Sequence, residues 1–315
     1  MSDKPGAALQ SWSWWRAHVG GMLSDAGRPS HGADARWLTE FVSGHEGAEW
    51  QEVSAQAPTN RQRDRLLALT QRCADGEPLQ YVIGEWSFRQ FDVAVDPRVL
   101  IPRPETEWVV EIAIEAAVRT GLRRGRASIM ANAVASRGDA SLHHVADLGT
   151  GSGVIAISLA AELPDTQVWA CDVSQDALHV ARANAIGNAA HRVRCAHGSW
   201  FDALPDELRG TLRLVVANPP YISESEFVVL DEVVRGHEPK IALVSGPTGS
   251  EAVEAIIAAA PGWLAPGAPL VIELATVRAR ASAEFAMNVG AFRDVQVLDD
   301  LTGRSRALVM FRNDD

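Results

Sequence analysis

Cysteine is scarce: Cys73, Cys171 and Cys195 are the only three in 315 residues, and no CxxC pair occurs. So odd and scattered a set excludes a disulfide framework and the usual zinc-knuckle spacing. Cys195-Ala196-His197 has no further ligand spacing behind it and reads as filler in a strand or loop; His143-His144 reads as a solvated loop, and no metal is expected. Long apolar runs are missing as well. None approaches the ~18–20 residues a membrane span needs, and Met1-Ser2-Asp3-Lys4-Pro5 lacks the basic flank and apolar stretch of a signal peptide. The expected setting is therefore cytoplasmic, with no membrane partner. Basic charge is short: 29 Lys+Arg stand against 40 Asp+Glu, a net charge of −11. Affinity for a phosphate backbone comes from clustered Lys and Arg, so direct nucleic-acid binding is not expected.

What the chain does have is 47% hydrophobic residues, enough for one large domain and a smaller one, each with a core. Residues 1–80 show helical periodicity without strand alternation. Trp12, Trp15, Val19 and Leu23 share one helical face at spacings of 3, 4 and 4, and core packing is the expected use of these tryptophans. "DARWLTEFV" and "RQRDRLLALTQRC" predict two more amphipathic helices. Residues 81–104 read as a β-hairpin linker, in which Phe91, Val93 and Val95 alternate as in a half-buried strand. A third region, 105–315, opens with a helix whose first turn carries Glu105 and Glu107, carboxylates suited to the helix N-terminal dipole. Residues 119–144, with Arg119, Arg123, Arg124, Arg126 and Arg137, read as a solvated, partly disordered connector. Beyond it, strands ("HHVADLG", "QVWACDV", "RVRCAHG", "RLVVAN", "APLVIELA") alternate with helical segments. That alternation predicts an α/β fold with a mostly parallel, doubly wound sheet. "FRDVQVLDDLTGRSRALVMFRN" adds an edge hairpin turning at Thr302-Gly303.

"ADLGTGSGVIAISLA" lies at a strand-to-helix junction. Gly149, Gly151 and Gly153 let the backbone pass close to a ligand, and the helix starting near Val154 offers unpaired N–H groups. The next strand ends at Asp172, nineteen residues after Gly153 (172 − 153), where a carboxylate either accepts ribose hydroxyls or caps the helix that starts near Ser174. Dinucleotide sites use G-x-G-x-x-G/A to make room for pyrophosphate; here the spacing is G-x-G-x-G, with Asp147 two residues before the first glycine. A carboxylate there repels phosphate and suits a cationic amino-acid ligand, which favours S-adenosylmethionine.

The strand Leu214–Ala217 runs into Asn218-Pro219-Pro220-Tyr221. Two prolines end any ladder, so a plain turn is one reading. The other places the four residues beside the cofactor. An amide or ring-amine NH2 is a poor nucleophile because its lone pair is delocalised. The Asn218 side-chain oxygen and the Pro219 carbonyl can each accept one N–H and aim the nitrogen, Tyr221 can stack on the planar group, and Pro220 helps fix the backbone.

"ADLGTGSG", "ACD", "GSWFDAL" and "ANPPYI", with "GEPLQYVIGEWSFRQFDVAVDPRVLIPRPETE" upstream, resemble the HemK/PrmC family of methyltransferases that modify the Gly-Gly-Gln glutamine of class I peptide chain release factors. The resemblance runs from about Gly76 to Gly303; over residues 1–75 it extends only to a helical domain of the right size. It implies a class I S-adenosylmethionine-dependent methyltransferase fold, a seven-stranded mostly parallel sheet with an antiparallel C-terminal hairpin, behind an N-terminal substrate-docking domain. It further implies that Gly149, Thr150, Gly151, Ser152 and Gly153, with Asp147, serve the methionine part of the cofactor. Asp172 would hold the ribose, Trp200 the adenine, and Asn218, Pro219, Pro220 and Tyr221 the glutamine, with Arg103 and Glu105 in the adjoining wall. S-adenosylhomocysteine would be the product, a release factor the protein partner, and the enzyme a monomer. Pro104-Glu105-Thr106-Glu107 matches the release-factor enzymes better than the ribosomal-protein glutamine methyltransferases. Three departures stand out: Ser199 where an acidic residue usually precedes Trp200, Arg213 where an Asp commonly opens the strand, and a longer connector at 119–144. The alternatives are a methyltransferase for adenine amino groups in nucleic acid, which lacks a basic groove here, and a nicotinamide-dependent oxidoreductase, which leaves Asp147 and NPPY unexplained. A binding module that has lost catalysis is the third.

Overall fold

Residues 10–125 and 142–315 are described in the computed structural model; Arg126 and Arg137 of the connector and the segment Met1–Pro5 lie outside them. The chain divides into two units, Met1–Gly84 and Glu85–Asp315. The first holds helices α1 (Trp12–Asp25), α2 (His31–Ser43), α3 (Gly47–Val53), α4 (Asn60–Ala74) and α5 (Leu79–Ile83). Local signals start two of them. The Ser11 side chain accepts the Trp14 backbone N–H, and Thr59 and Gln62 each accept the other's backbone N–H across the first turn of α4. The face anticipated for α1 is the buried one: Trp12, Val19 and Leu23 pack with Leu38, Trp50 and Leu66, Trp15 is partly buried against them, and Trp12 meets Trp50 edge-on.

The second unit opens with an antiparallel hairpin, β1 (Glu85–Phe88) and β2 (Phe91–Ala94), in which Phe91 and Val93 are buried while Asp92 and Ala94 are exposed. Helix α6 (Pro104–Arg119) follows, with proline in its first turn where no N–H is needed. Then come β3 (His143–Leu148), α7 (Val154–Glu162), β4 (Thr166–Asp172), α8 (Gln175–Gly187), β5 (Val193–His197), β6 (Leu214–Ala217) and β7 (Ile222–Ser223). Three short helices, α9 (Glu224–Val228), α10 (Glu232–His237) and α11 (Lys240–Leu243), lead to β8 (Val244–Gly246). After these run α12 (Glu251–Ala259), β9 (Pro269–Glu273), α13 (Ala279–Val289), β10 (Phe292–Asp299) and β11 (Ser305–Arg312). The sequence reading has no counterpart for α13 or for the elements between Ile222 and Gly246.

Seven strands form one sheet in the order β10-β11-β9-β6-β3-β4-β5, parallel from β9 to β5 and antiparallel on either side of β11. The predicted edge hairpin is in place. The chain begins the sheet at β3, adds β4 and β5 on one side, then crosses to add β6 and β9 on the other, so a topological switch point falls between β3 and β6. Crevices in open α/β sheets lie at the carboxyl ends of the strands at such a point.

Two expectations are corrected. His143 and His144 are the first residues of β3, and Trp169 Nε1 donates to His144 Nδ1 at 3.2 Å, so the pair is strand and not loop. The described arginines of the connector are not simply solvated. Arg123 makes a two-point contact with Asp165, and Arg124 pairs with Glu111 at 2.6 Å and Glu162 at 2.7 Å. Arg119 lies over the Phe311 ring. Their acidic partners come from α6, α7 and the turn before β4, too distant in sequence for local charge patterning to reveal.

Candidate active site

Strand register assembles the site. Leu148 pairs with Cys171 on one side and Ala217 on the other, so Gly149 and Asn218, the first residues beyond β3 and β6, emerge beside Asp172, the last residue of β4. Ala217 likewise pairs with Ile272, which brings Glu273 beside Asn218. Over this edge opens a cavity of about 370 Å³, a volume typical of small-molecule sites. Of the residues anticipated from sequence, Gly149, Thr150, Gly151, Ser152, Asp172, Trp200, Asn218, Pro220 and Arg103 line it. Asp147, Gly153, Pro219, Tyr221 and Glu105 do not.

The glycine loop is held by its backbone and by two carboxylates. Gly149 and Thr150 donate their N–H groups to the Cys171 carbonyl at 2.8 and 2.9 Å. Gly153, at φ +86°, starts α7 where a Cβ would lie 3.1 Å from that of Ala181, so glycine is required both by conformation and by the approach of α8. Asp147 is wholly buried beneath the loop. Its Oδ2 accepts the Thr150 hydroxyl at 2.6 Å and the Ala156 N–H at 3.1 Å, while its Oδ1 has no partner. Burial pushes this carboxyl up to about 7, against the lowering pull of its two donors. Asp172 accepts the Gly151 N–H and the Ser174 N–H, both at 2.9 Å. It therefore braces the loop and the turn before α8, whose N-cap is Ser174, with lone pairs left for a ligand. Burial raises its pKa too.

Trp200 adopts φ +48°, a conformation that costs a bulky residue on the order of 1–3 kcal/mol and gathers at functional sites. The turn aims the indole at the loop: a Cβ on Gly149 would sit 3.3 Å from its Cζ3. Ser199 beside it also lines the cavity.

On the opposite wall, Asn218 Nδ2 donates to Thr106 Oγ1 at 3.2 Å, and Thr106 Oγ1 donates to Glu273 Oε2 at 2.7 Å. Thr106 and Glu273 are buried, and burial lifts the Glu273 carboxyl to about 7. The Asn218 oxygen and the Pro219 carbonyl have no hydrogen-bond partner among the described residues. Tyr221 stays a neutral phenol, its pKa pushed by burial to about 12. Arg103 is committed to Glu238 at 2.5 Å, and Glu238 also accepts the Ile101 N–H, so this pair ties the segment before α6 to the end of α10. Glu105 lies 4.0 Å from Arg306. The arrangement offers a glycine-loop cradle on one side and the unpartnered Asn218 oxygen on the other, with the unpartnered Pro219 carbonyl next to it in the chain.

Glu273 was not singled out from sequence, and Thr106 only as part of Pro104-Glu105-Thr106-Glu107, with no role of its own. For Glu273 a signal existed: it is the one charged residue in β9, whose five positions are all buried. Ile241, Ala242, Val244 and Ser245, from the unforeseen segment, complete the wall. Among the described residues no three His, Cys, Asp or Glu side chains gather as a metal site, and no helix is long and apolar enough to cross a membrane.

Comparison with known proteins matches residues 15–84 to the PrmC N-terminal domain and residues 127–238 to the methyltransferase small domain. The release factor glutamine methyltransferase of Chlorobaculum tepidum is 40% identical over 253 residues, covering 79% of this chain and 80% of that one. The proteins of the same description from Thermosynechococcus vestitus and Rhodopirellula baltica are each 35% identical, over 96% of this chain and 98% of the first, and over 98% of this chain and 97% of the second.

Proposed function

The chain belongs to the release factor glutamine methyltransferase family, and we propose that it methylates the side-chain amide nitrogen (N5) of the Gly-Gly-Gln glutamine in class I peptide chain release factors. The observation that carries this reading is the Asn218 amide, its NH2 engaged by Thr106 and its oxygen left unpartnered at the cavity. A planar primary amide presents two N–H donors, and Asn218 Oδ1 with the Pro219 carbonyl offers two acceptors to receive them. Held so, the amide nitrogen turns its lone pair toward the cofactor side. Orientation of this kind is worth up to about 7–11 kcal/mol, so no strong side-chain base is needed. The alkylated amide nitrogen is acidic and releases its proton to water.

The residues opposite suit S-adenosylmethionine. Trp200 offers a face for the adenine, Asp172 has lone pairs for the ribose hydroxyls, and the glycine loop leaves its backbone open to the methionine part. Asp147, buried beneath the loop, supports this cradle from below by holding the Thr150 hydroxyl and the Ala156 N–H. When bound, that molecule supplies the electrophilic sulfonium methyl and leaves as S-adenosylhomocysteine. Residues 1–80 are proposed to dock the protein substrate, since every residue lining the cavity lies at Arg98 or beyond. Mass spectrometry of a class I release factor incubated with the protein and S-adenosylmethionine tests the reading. A 14 Da gain on the Gly-Gly-Gln glutamine is expected; methyl transfer to nucleic acid only, or no transfer, overturns it.

A further inference from the structure

An asparagine amide can act as an acceptor toward substrate in only one of two orientations related by a half turn. Nothing in Asn218 itself selects between them. We propose that Thr106 and Glu273 are positioning residues that lock the Asn218 amide with its oxygen, and not its NH2, toward the methyl-accepting nitrogen. The inference rests on the methyl-transfer reading above.

Three elements meet to make the lock: Asn218 follows β6, Thr106 lies in the first turn of α6, and Glu273 ends β9. An ionised carboxylate only accepts hydrogen bonds. The single Thr106 hydroxyl proton therefore goes to Glu273 across 2.7 Å, and what Thr106 presents to Asn218 at 3.2 Å is a lone pair. Only the NH2 of Asn218 satisfies that lone pair. Turning the amide over would set two acceptors against each other at Thr106 and two donors against each other at the substrate amide. Thr106 is 3% exposed and Glu273 1% exposed, so water has little access to relieve the first mismatch. The charged and titratable groups facing Glu273 are Arg306 from β11, Arg103 and Glu105 at the start of α6, and Tyr221. The two arginines favour the ionised, accepting form, while Glu105 and burial oppose it.

Thr106→Val removes the hydroxyl at constant shape, Thr106→Ser restores it, and Glu273→Gln lets an NH2 donate to Thr106, which frees the hydroxyl to turn the Asn218 amide over. The expected outcome is a 10- to 100-fold fall in kcat for Thr106→Val and for Glu273→Gln. KM for release factor and calorimetric affinity for S-adenosylmethionine should stay within about threefold, most of the rate should return in Thr106→Ser, and Thr106→Val/Glu273→Gln should be no slower than either single variant. A wild-type kcat in Thr106→Val, a serine variant as slow as the valine one, or multiplicative losses in the double variant would each overturn the lock. An independent readout is proton exchange at the Asn218 side-chain NH2 by NMR, expected to be slowed in the wild type and Thr106→Ser and fast in Thr106→Val. Equal exchange in all three refutes the proposal. If the wild type methylates no release factor, the functional reading fails by itself and the exchange data still decide the lock.

Discussion

Replacing Asn218 by alanine and by aspartate separates acceptance from orientation. Alanine removes one aligned acceptor from the target nitrogen. Loss of one such preorganised hydrogen-bonding group typically costs 10²–10³ in rate, about 2.7–4 kcal/mol. The fold should tolerate the change, because Thr106 keeps its bond to Glu273 and water entering the cavity can meet the vacated lone pair. Aspartate keeps an acceptor for the substrate but sets a carboxylate oxygen near 3.2 Å from a Thr106 oxygen whose proton is already given to Glu273. Two carboxylates then compete for one hydroxyl, and one of them must hold a proton. The pH profiles should therefore slope in opposite directions. In the wild type, Glu273 becomes a pure acceptor as pH rises through about 7, so kcat rises across that interval. In Asn218→Asp the required proton is lost as pH rises, so kcat falls, to at least tenfold below wild type by about pH 8. Single-turnover transfer of labelled methyl from S-adenosylmethionine to a release factor, from about pH 6 to 8.5, measures both. An alanine variant within threefold of wild type refutes the role of Asn218, and parallel pH profiles refute the orientation argument.

Three further outcomes follow. Asp172→Ala should weaken S-adenosylmethionine binding by on the order of 1.5–3 kcal/mol, since charge-assisted bonds to the ribose and the brace on Gly151 are both lost; unchanged affinity by calorimetry would reduce Asp172 to a brace of the loop and of the turn before α8. Deleting residues 1–84 should raise KM for intact release factor while leaving cofactor affinity within a few-fold, and an unchanged KM would remove the docking role. The folded-state pKa of Glu273 is raised by burial from 4.5 to about 7, so between those values the folded protein binds more protons than the unfolded chain and this group's contribution to stability falls as pH rises. Glu273→Gln should therefore gain thermal stability relative to wild type from pH 4.5 to 7.5, and a constant difference in melting temperature would contradict the raised pKa.

The loop and the strand ends were legible because their signals are local. Glycines spaced to free a backbone, an acid at the end of the following strand, and an apolar run halted by two prolines can each be read within a few residues. The core face of α1 was legible for the same reason, since a 3.6-residue period needs no partner to be seen. Sequence is silent about register. The link from Asn218 to Thr106 spans 112 residues and that from Thr106 to Glu273 spans 167, and their meeting at one point needs the register that sets Ala217 opposite Ile272 and so Glu273 beside Asn218. Shifting β9 by one residue would turn the Glu273 side chain to the other face of the sheet and leave Thr106 without its acceptor. The charged connector misled for the same reason, because Arg124 finds Glu111 and Glu162 only after α6 and α7 have packed. The prolines of NPPY therefore do more than stop a strand. By denying β6 further ladder donors they end it at Ala217, and that makes Asn218 the first residue free of the sheet, beside Gly149 where the chain leaves β3 and beside Asp172 and Glu273 where β4 and β9 end.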